Sequence, residues 1–590
     1  MRAPSHETWW RFLLRYLRPE WRRFLLMTVL LLGGIGLQLG APQVASSFID
    51  TARAGGAIAA LTTLALLYLA LAMANQLANA FATYVGQDVG WTTTNRLRED
   101  LALHCLRLDM TFHNTHTPGE LIERVDGDLT ALADFFSIVM IRVLGSGLLL
   151  AGTLALLWRA DWRIGLALTI FTAITGVVLV SMRRIAIPAG VQERDSSAIF
   201  LGFLEERLGG VEDIRANGGG DYVMLRFYES MRRWFHRGVS AWLRRASVWS
   251  VASLLFDLGT AVVLGLSALL FVQHAISLGL VYLFFQYTVM LQAPLEQITQ
   301  QLQEFQKAAS SLTRVRAVLR IQPAIVDGAG AFARDAGGNV PAGAVAVAFD
   351  DVTFAYHPAD GPVLRDFDFQ LAPGRVLGLL GRTGSGKTTL SRLLFRLYDV
   401  TEGAIRLDGA DIRELPLATL RQRVGLVTQD VQLFHATIRD NLTFFDASVA
   451  DARILAVIAE MGLSEWFARL PNGLDTELEA GGDGLSAGEA QLLAFIRVFL
   501  KDPGLVILDE PSSRLDPATE QLIERGVSYL LRDRTGIIIA HRLATVRRAD
   551  AIMVIENGRI LEYGPREELA ASPDSRFAAL LRVGLEEVLA

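Results

Sequence analysis

Six apolar runs dominate the first half of the chain: Phe24–Ile49, Ala54–Gln87, Val143–Trp158, Ile164–Met182, Ala246–Val272 and Ala275–Leu295. Together they hold a single charged residue, Asp257. A bilayer has a hydrocarbon core of about 30 Å and needs about 20 apolar residues of helix to cross it. Most of the runs reach that length, and the shorter third borrows the preceding "FFSIVMI". A soluble core helix keeps a polar face, so runs without one predict membrane spans. The first does not read as a cleavable signal, because "WWRFLLRYLRPEWRR" precedes it and a second run follows at once. That leading segment reads as an interfacial helix.

Arginine placement sets the orientation. Residues 1–23, 88–142 and 183–245 carry six, five and eleven arginines, against only Arg53, Arg159 and Arg163 in the alternate loops. Positive charge stays on the cytosolic side, so both termini are expected there. The two arginine-bearing loops keep apolar residues at helical spacing and are expected to prolong the spans into the cytosol.

Beyond Ala342 the pattern changes to alternating strand, turn and helix signals of a soluble α/β domain. The expected organisation is an interfacial segment 1–23, a membrane domain 24–310 with cytosolic loops 88–142 and 183–245, a linker 311–342, and an α/β domain 343–590. The fold class is thus an α-helical six-span transmembrane domain followed by an α/β domain. A net charge of -6 over 590 residues gives no footprint of a nucleic-acid partner. Cys105 is the only cysteine, which excludes an intrachain disulfide and a thiolate metal cluster. The 56 basic residues include only three lysines, Lys307, Lys387 and Lys501.

One of those lysines falls in "VLGLLGRTGSGKTTLSRLLFRLYD", an apolar strand, a glycine-rich turn and a helix. Every position of G-x-x-x-x-G-K-[ST] matches in the strand-to-helix setting that a phosphate loop requires. Gly381, Arg382, Thr383, Gly384, Ser385 and Gly386 offer backbone N–H groups to a phosphate, Lys387 neutralises its charge, and Thr388 and Thr389 open the helix. The Thr388 hydroxyl is a candidate Mg²⁺ ligand. Further on, "GLVILDEPSSRLD" ends an apolar strand on Asp509 and Glu510, where ligands of open α/β sheets gather. Asp509 is expected to hold Mg²⁺ through water and Glu510 to polarise the attacking water, with His541 of "GIIIAHR" at a second strand end.

Taken together, the loop Gly381–Thr389, the acids after "LVIL", His541 and "LSAGEAQ" resemble an ATP-binding-cassette domain. With six spans and two long cytosolic loops ahead of it, nearly the whole chain resembles an ABC exporter half-transporter. The resemblance implies ATP and Mg²⁺ as cofactors, and Tyr356 of "FAYHP" stacked on adenine. It implies Gln429 of "LVTQD" reaching Mg²⁺ and the membrane domain, and Asp516 across a dimer interface. "THTPGEL" and "GGVEDIRAN" would be the segments that touch the cassettes. It further implies a multi-pass protein of the cytoplasmic membrane, exporting a drug-like amphipathic compound or a lipid; a lipid flippase of the same fold is the alternative.

The family's Leu-Ser-Gly-Gly-Gln signature becomes Leu485-Ser486-Ala487-Gly488-Glu489 here. Ser486 and Gly488 are expected to clamp the γ-phosphate bound by the opposite cassette; a carboxylate at Glu489 beside it would weaken closure, unless the side chain points away. Glu479 and Ala480 also replace the usual Gly-Glu. These departures favour a heterodimer with a second exporter half of regular signature, with a homodimer as the alternative. Asp257, inside a span, either marks the substrate path or reaches water or a neighbouring helix. His113 and His116 read as a solvated turn rather than a zinc site.

Overall fold

The computed structural model of this chain describes residues 9–135, 137, 140–328, 343–479, 485–509, 517–539 and 546–583. Two units emerge: Met1–Arg107 with Pro118–Ile321, and Leu108–Thr117 with Gln322–Ala590.

Among the described residues of the first unit, six helices are long and apolar enough to cross a membrane: Leu14–Arg53, Ile58–Arg107, Arg142–Ala160, Trp162–Gly209, Gly220–Val272 and Leu278–Ile298. The second, fourth and fifth run on unbroken for 50, 48 and 53 residues, so the loop 183–245 is built largely of span prolongations, whereas in 88–142 only the stretch to Arg107 continues a span and short helices such as Met110–Thr115 and Asp128–Asp134 follow. At about 1.5 Å per residue each of the three long helices is more than twice as long as a hydrocarbon core is thick. A short helix, Val211–Ala216, lies between the fourth and fifth. The first helix packs along the second and the fourth along the fifth.

Leu157, Ile164, Leu168, Val263, Leu270, Phe284 and Tyr287 form this unit's apolar core. The Tyr287 hydroxyl is not left orphaned in it: it donates to Leu39 O at 2.8 Å and accepts from Gln43 Nε2 at 3.1 Å. At the end of the first span, Asp50 accepts from Ser277 Oγ at 2.6 Å and Gly279 N at 2.7 Å, tying it to the start of the sixth. Only glycine permits this approach, since a Cβ at 279 would lie 2.2 Å from Ser46 O. On the arginine-rich side, Asp128 is 1% exposed and accepts from Arg314 Nε at 3.0 Å and Arg124 Nη1 at 3.3 Å. Glu20, just after the helix Trp9–Leu17, pairs with Arg23 at 3.1 Å and Arg96 at 2.8 Å.

The second unit contains two larger sheets. In the six-stranded one, Val376–Gly381 lies between Thr535–Ile539 and Ala551–Glu556, all parallel. Leu505–Asp509 pairs in parallel with Thr535–Ile539 on one side and Val424–Val427 on the other. Both faces of this sheet are covered, which is why Val376–Gly381 and Thr535–Ile539 are buried throughout and read as uninterrupted apolar runs. A four-stranded antiparallel sheet centres on Val347–Phe354, flanked by Leu364–Leu371 and Glu402–Leu407. Its inner face alternates, and Phe349, Phe367 and Phe369 pack ring against ring beneath it. A second apolar core gathers around the helix Ala487–Lys501.

Candidate nucleotide site

The strand Val376–Gly381 emerges from the sheet into the turn before helix Lys387–Leu394. Gly384 and Gly386 hold φ of 82° and 110°, values open to glycine at no steric cost, and a Cβ on Gly386 would meet Leu364 Cδ2 at 2.5 Å. Lys387 is buried inside the turn, its Nζ donating to Gly381 O at 2.6 Å and Arg382 O at 3.1 Å. The loop is thus braced from within by its own lysine. Arg382, Thr383, Gly384 and Thr388 face solvent, while Ser385, Gly386 and Thr389 are buried. Ser385 Oγ is a buried hydroxyl with no hydrogen-bond partner, a polar atom that a phosphate oxygen would satisfy.

Register places Asp509 beside Ile539, and Ile539 beside Leu379, so Asp509 and the phosphate loop share the carboxyl edge of one sheet. Thr388 Oγ1 lies 3.5 Å from Asp509 Oδ2. A hydroxyl and one carboxylate fit Mg²⁺, which takes oxygen ligands and draws the rest from phosphates and water. Among the described residues no cluster of three His, Cys, Asp or Glu side chains is placed for a metal. Tyr356 joins the site through its hydroxyl, 3.1 Å from Thr389 Oγ1, and accepts from Arg392 Nη1 at 3.2 Å. Tyr398 stands edge-on to its ring at 5.0 Å. Gln429 is exposed two residues beyond Val424–Val427, a strand adjacent to Leu505–Asp509. Glu510, His541 and Asp516 lie outside the described residues, as does Ala480.

Ser486 caps the helix Ala487–Lys501, and none of its hydrogen bonds reaches the loop 381–389. Of the two orientations open to Glu489, the structure shows the one turned into its own helix start. Its Oε2 accepts from Ser486 N and Ser486 Oγ, both at 2.9 Å, and its Oε1 accepts from the Trp466 indole N–H at 3.1 Å. Burial pushes its carboxyl up, but the hydrogen bonds from Ser486 and Trp466 outweigh that and hold it below the usual carboxylate range. The side chain is consumed by its own helix start as the second half of a capping box. The S-x-x-E spacing was the signal that could have revealed this.

Residues 108–117, which overlap the expected cassette-touching segment "THTPGEL" at 115–117, belong to the cassette unit, and sequence reasoning missed only the contacts that fasten them. Asp109 caps the helix Met110–Thr115 and accepts from Ala324 N at 2.9 Å; Met110 packs on the cassette core; Asn114 Nδ2 donates to Tyr398 Oη at 2.6 Å. His113 and His116 pack on Phe112. In the membrane unit, Asp257 is exposed on the fifth helix and does not line that unit's cavity.

Six spanning helices followed by a sheet whose carboxyl edge carries a braced phosphate loop and an acid define an ATP-driven membrane transporter. Comparison with known proteins narrows this. Residues 24–295 match the ABC transporter transmembrane region and residues 364–513 the ABC transporter family. The chain is 30% identical to an ATP-dependent lipid A-core flippase of Chromohalobacter salexigens over 100% of both chains. It is 31% identical to a fatty acid ABC transporter ATP-binding/permease protein of Mycobacterium bovis, over 81% of this chain and 74% of that one. A bacterial Atm1-family ABC exporter with ATP bound shares the fold, with a TM-score of 0.78 and 24% identity, over 95% of this chain and 98% of that one. The chain belongs to the ABC transporter family, as a half-transporter of exporter architecture with its membrane domain fused to its cassette. It is a multi-pass membrane ATPase that binds ATP, couples its hydrolysis to transport, and works as a dimer of such halves.

Proposed function

We propose that this half-transporter exports a lipid or lipid-like amphiphile from the cytosolic side of the cytoplasmic membrane by alternating access, with both termini in the cytosol. The observation that carries the reading is a cavity of about 610 Å³ within the membrane unit. It is walled by apolar side chains such as Ile187, Val191 and Trp249, and by charges of both signs, Arg194, Arg245 and Lys307 with Glu193, Glu296 and Glu304, Arg245 pairing with Glu193 at 3.7 Å, a mixture suited to a polar or zwitterionic headgroup. The chain thereby places one of its three lysines against the cavity. Relatives that act on lipid A-core and on fatty acid support an amphiphilic cargo.

In the ATP site, the N–H groups of Gly381–Gly386 and the Lys387 ammonium hold the phosphates, and Tyr356 stacks on the base. Thr388 and Asp509, with Gln429 approaching, would hold Mg²⁺, which would supply positive charge to the phosphate oxygens when bound. Glu510 orients and polarises the attacking water and His541 contacts the γ-phosphate. Ser486, Gly488 and Asp516 act across the interface on the partner's nucleotide. Closure around two ATP molecules shifts the membrane unit outward and hydrolysis resets it.

The heterodimer expectation drew on Ala487, Glu489, Glu479 and Ala480 together. The Glu489 carboxylate, bound to its own helix start, no longer speaks for it, and we take the self-paired dimer as the reading to test.

The test uses the purified full chain in vesicles. Labelled phospholipid should cross in an ATP-dependent manner, and Glu510→Gln should trap the ATP-bound dimer and stop transport. Near wild-type turnover by Glu510→Gln sinks the catalytic assignment. Movement of amphipathic drugs but not lipid sinks the lipid reading, and ATPase that appears only after a second half is added sinks the self-paired dimer.

A further inference from the structure

We propose that Trp466 and Glu489 form a positioning pair that sets the signature serine, Ser486, for the nucleotide on the partner's phosphate loop. This rests on the reading of Ser486 as the contact made across the interface. The two residues reach each other from different elements: Trp466 sits in the short helix Ser464–Phe467, 3% exposed, and Glu489 in the first turn of Ala487–Lys501. The indole N–H donates to one carboxylate oxygen at 3.1 Å, leaving the other for Ser486. That second oxygen accepts both the Ser486 backbone N–H and its hydroxyl at 2.9 Å, while Glu489 N donates back to Ser486 Oγ at 3.2 Å.

Ser486 is exposed, yet its side chain is held in one orientation. Its hydroxyl proton can turn outward to a phosphate oxygen while Oγ still accepts from Glu489 N and the carboxylate still accepts from Ser486 N. The indole keeps the carboxylate from following. Without it, a carboxylate free to swing toward the incoming triphosphate would oppose closure by like-charge repulsion.

The arrangement calls for a carboxylate rather than the amide found in the family's signature. A glutamine has one carbonyl oxygen to serve two donors, so its NH₂ would confront either Ser486 N–H or the buried indole N–H, donor against donor. Glu489 in this chain is therefore matched to Trp466, and restoring the consensus residue alone breaks the match.

The experiment measures ATPase rate against ATP concentration for the reconstituted full-length dimer of wild type, Trp466→Phe, Glu489→Gln and the double variant. Each single variant is expected to raise KM for ATP about 5- to 10-fold with kcat within about twofold, the effect of orphaning one buried donor or acceptor. The double variant should be no worse than the poorer single. A KM loss equal to the product of the singles, about 25- to 100-fold, overturns the pair. So does a Glu489→Gln enzyme that binds ATP as well as wild type or better, the result expected if the carboxylate merely repelled the nucleotide. Should Trp466→Phe fail to fold, the direction of the Glu489→Gln change alone decides. If wild-type turnover is indifferent to Lys387→Ala, the ATP-site reading fails first, and the pair falls with it.

Discussion

Replacing Asn114 with alanine removes an amide that donates to Tyr398 Oη at 2.6 Å, between residues 284 positions apart in the chain. The bond matters because of its neighbours. Asp109 fastens the same segment by accepting from Thr111 N at 3.1 Å and Ala324 N at 2.9 Å, and Met110 packs on the cassette core. Tyr398 lies edge-on to Tyr356, the ring proposed to stack on adenine. Residues 108–117 are thus seated one side chain away from the base pocket. A neutral hydrogen bond contributes about 1 kcal/mol net, which biases a two-state equilibrium about fivefold. The capped helix and Met110 remain, so the segment should stay attached but be less responsive. Asn114→Ala is expected to cut the ratio of substrate-stimulated to basal ATPase about fivefold, with KM for ATP nearly unchanged. Tyr398→Phe, which keeps the ring and loses the hydroxyl, should do the same, and the double variant should match either single. A double-mutant cycle in reconstituted vesicles measures this directly, and two independent losses that multiply to about 25-fold would refute the reasoning.

Two further outcomes follow from side chains and turns already described. Burial pushes the Asp128 carboxyl up, but Arg314, Ser311 and Arg124 outweigh it and hold it below the usual range. Its contribution is therefore complete above the unfolded value of about 3.9 and is lost as pH falls through the lower folded value. Because Arg314 is partly exposed, Asp128→Asn should cost about 2 kcal/mol at neutral pH rather than the full amount for a buried pair, and should flatten the acid limb of thermal melts followed by circular dichroism. In the phosphate loop, Gly384→Ala meets no atom within 4 Å and should cost about 1 to 2 kcal/mol for its positive φ. Gly386→Ala adds a 2.5 Å clash with Leu364 and should abolish binding of a fluorescent ATP analogue, whereas Gly384→Ala keeps measurable binding.

The parts that were readable from sequence are those whose cause is local. A bilayer demands an unbroken apolar run, so the six spans announced themselves, and the arginine-rich loops betrayed their helical spacing. The phosphate loop was readable because strand, glycines and lysine are contiguous. Contacts whose partners lie far apart in the chain were not: nothing near Asn114 points to Tyr398, and nothing near Glu489 points to Trp466. Glu489 shows the difference most clearly. Its charge suggested repulsion of a triphosphate, yet the direction of a side chain depends on the cap it completes, and that competition was won by Ser486 and the indole. Asp257 also stays ambiguous in sequence, since periodicity alone does not tell a cavity wall from an exposed helix face.

The unbroken run of the fifth helix, Gly220–Val272, has a mechanical consequence. At about 1.5 Å per residue it is a rod of about 80 Å, of which about 50 Å projects beyond a 30 Å hydrocarbon slab. Pivoting it by about 5° about the middle of the slab displaces its far tip, about 65 Å away, by about 6 Å, close to one helical turn. Leverage of this kind works only while the shaft is stiff. The fourth helix, Trp162–Gly209, carries Pro188 within it, where one rung of the hydrogen-bond ladder is missing. Compliance is therefore concentrated at one known place on that neighbouring rod, while the fifth helix has no proline in its length. Of the two, the fifth is built to carry torque and the fourth to bend under it.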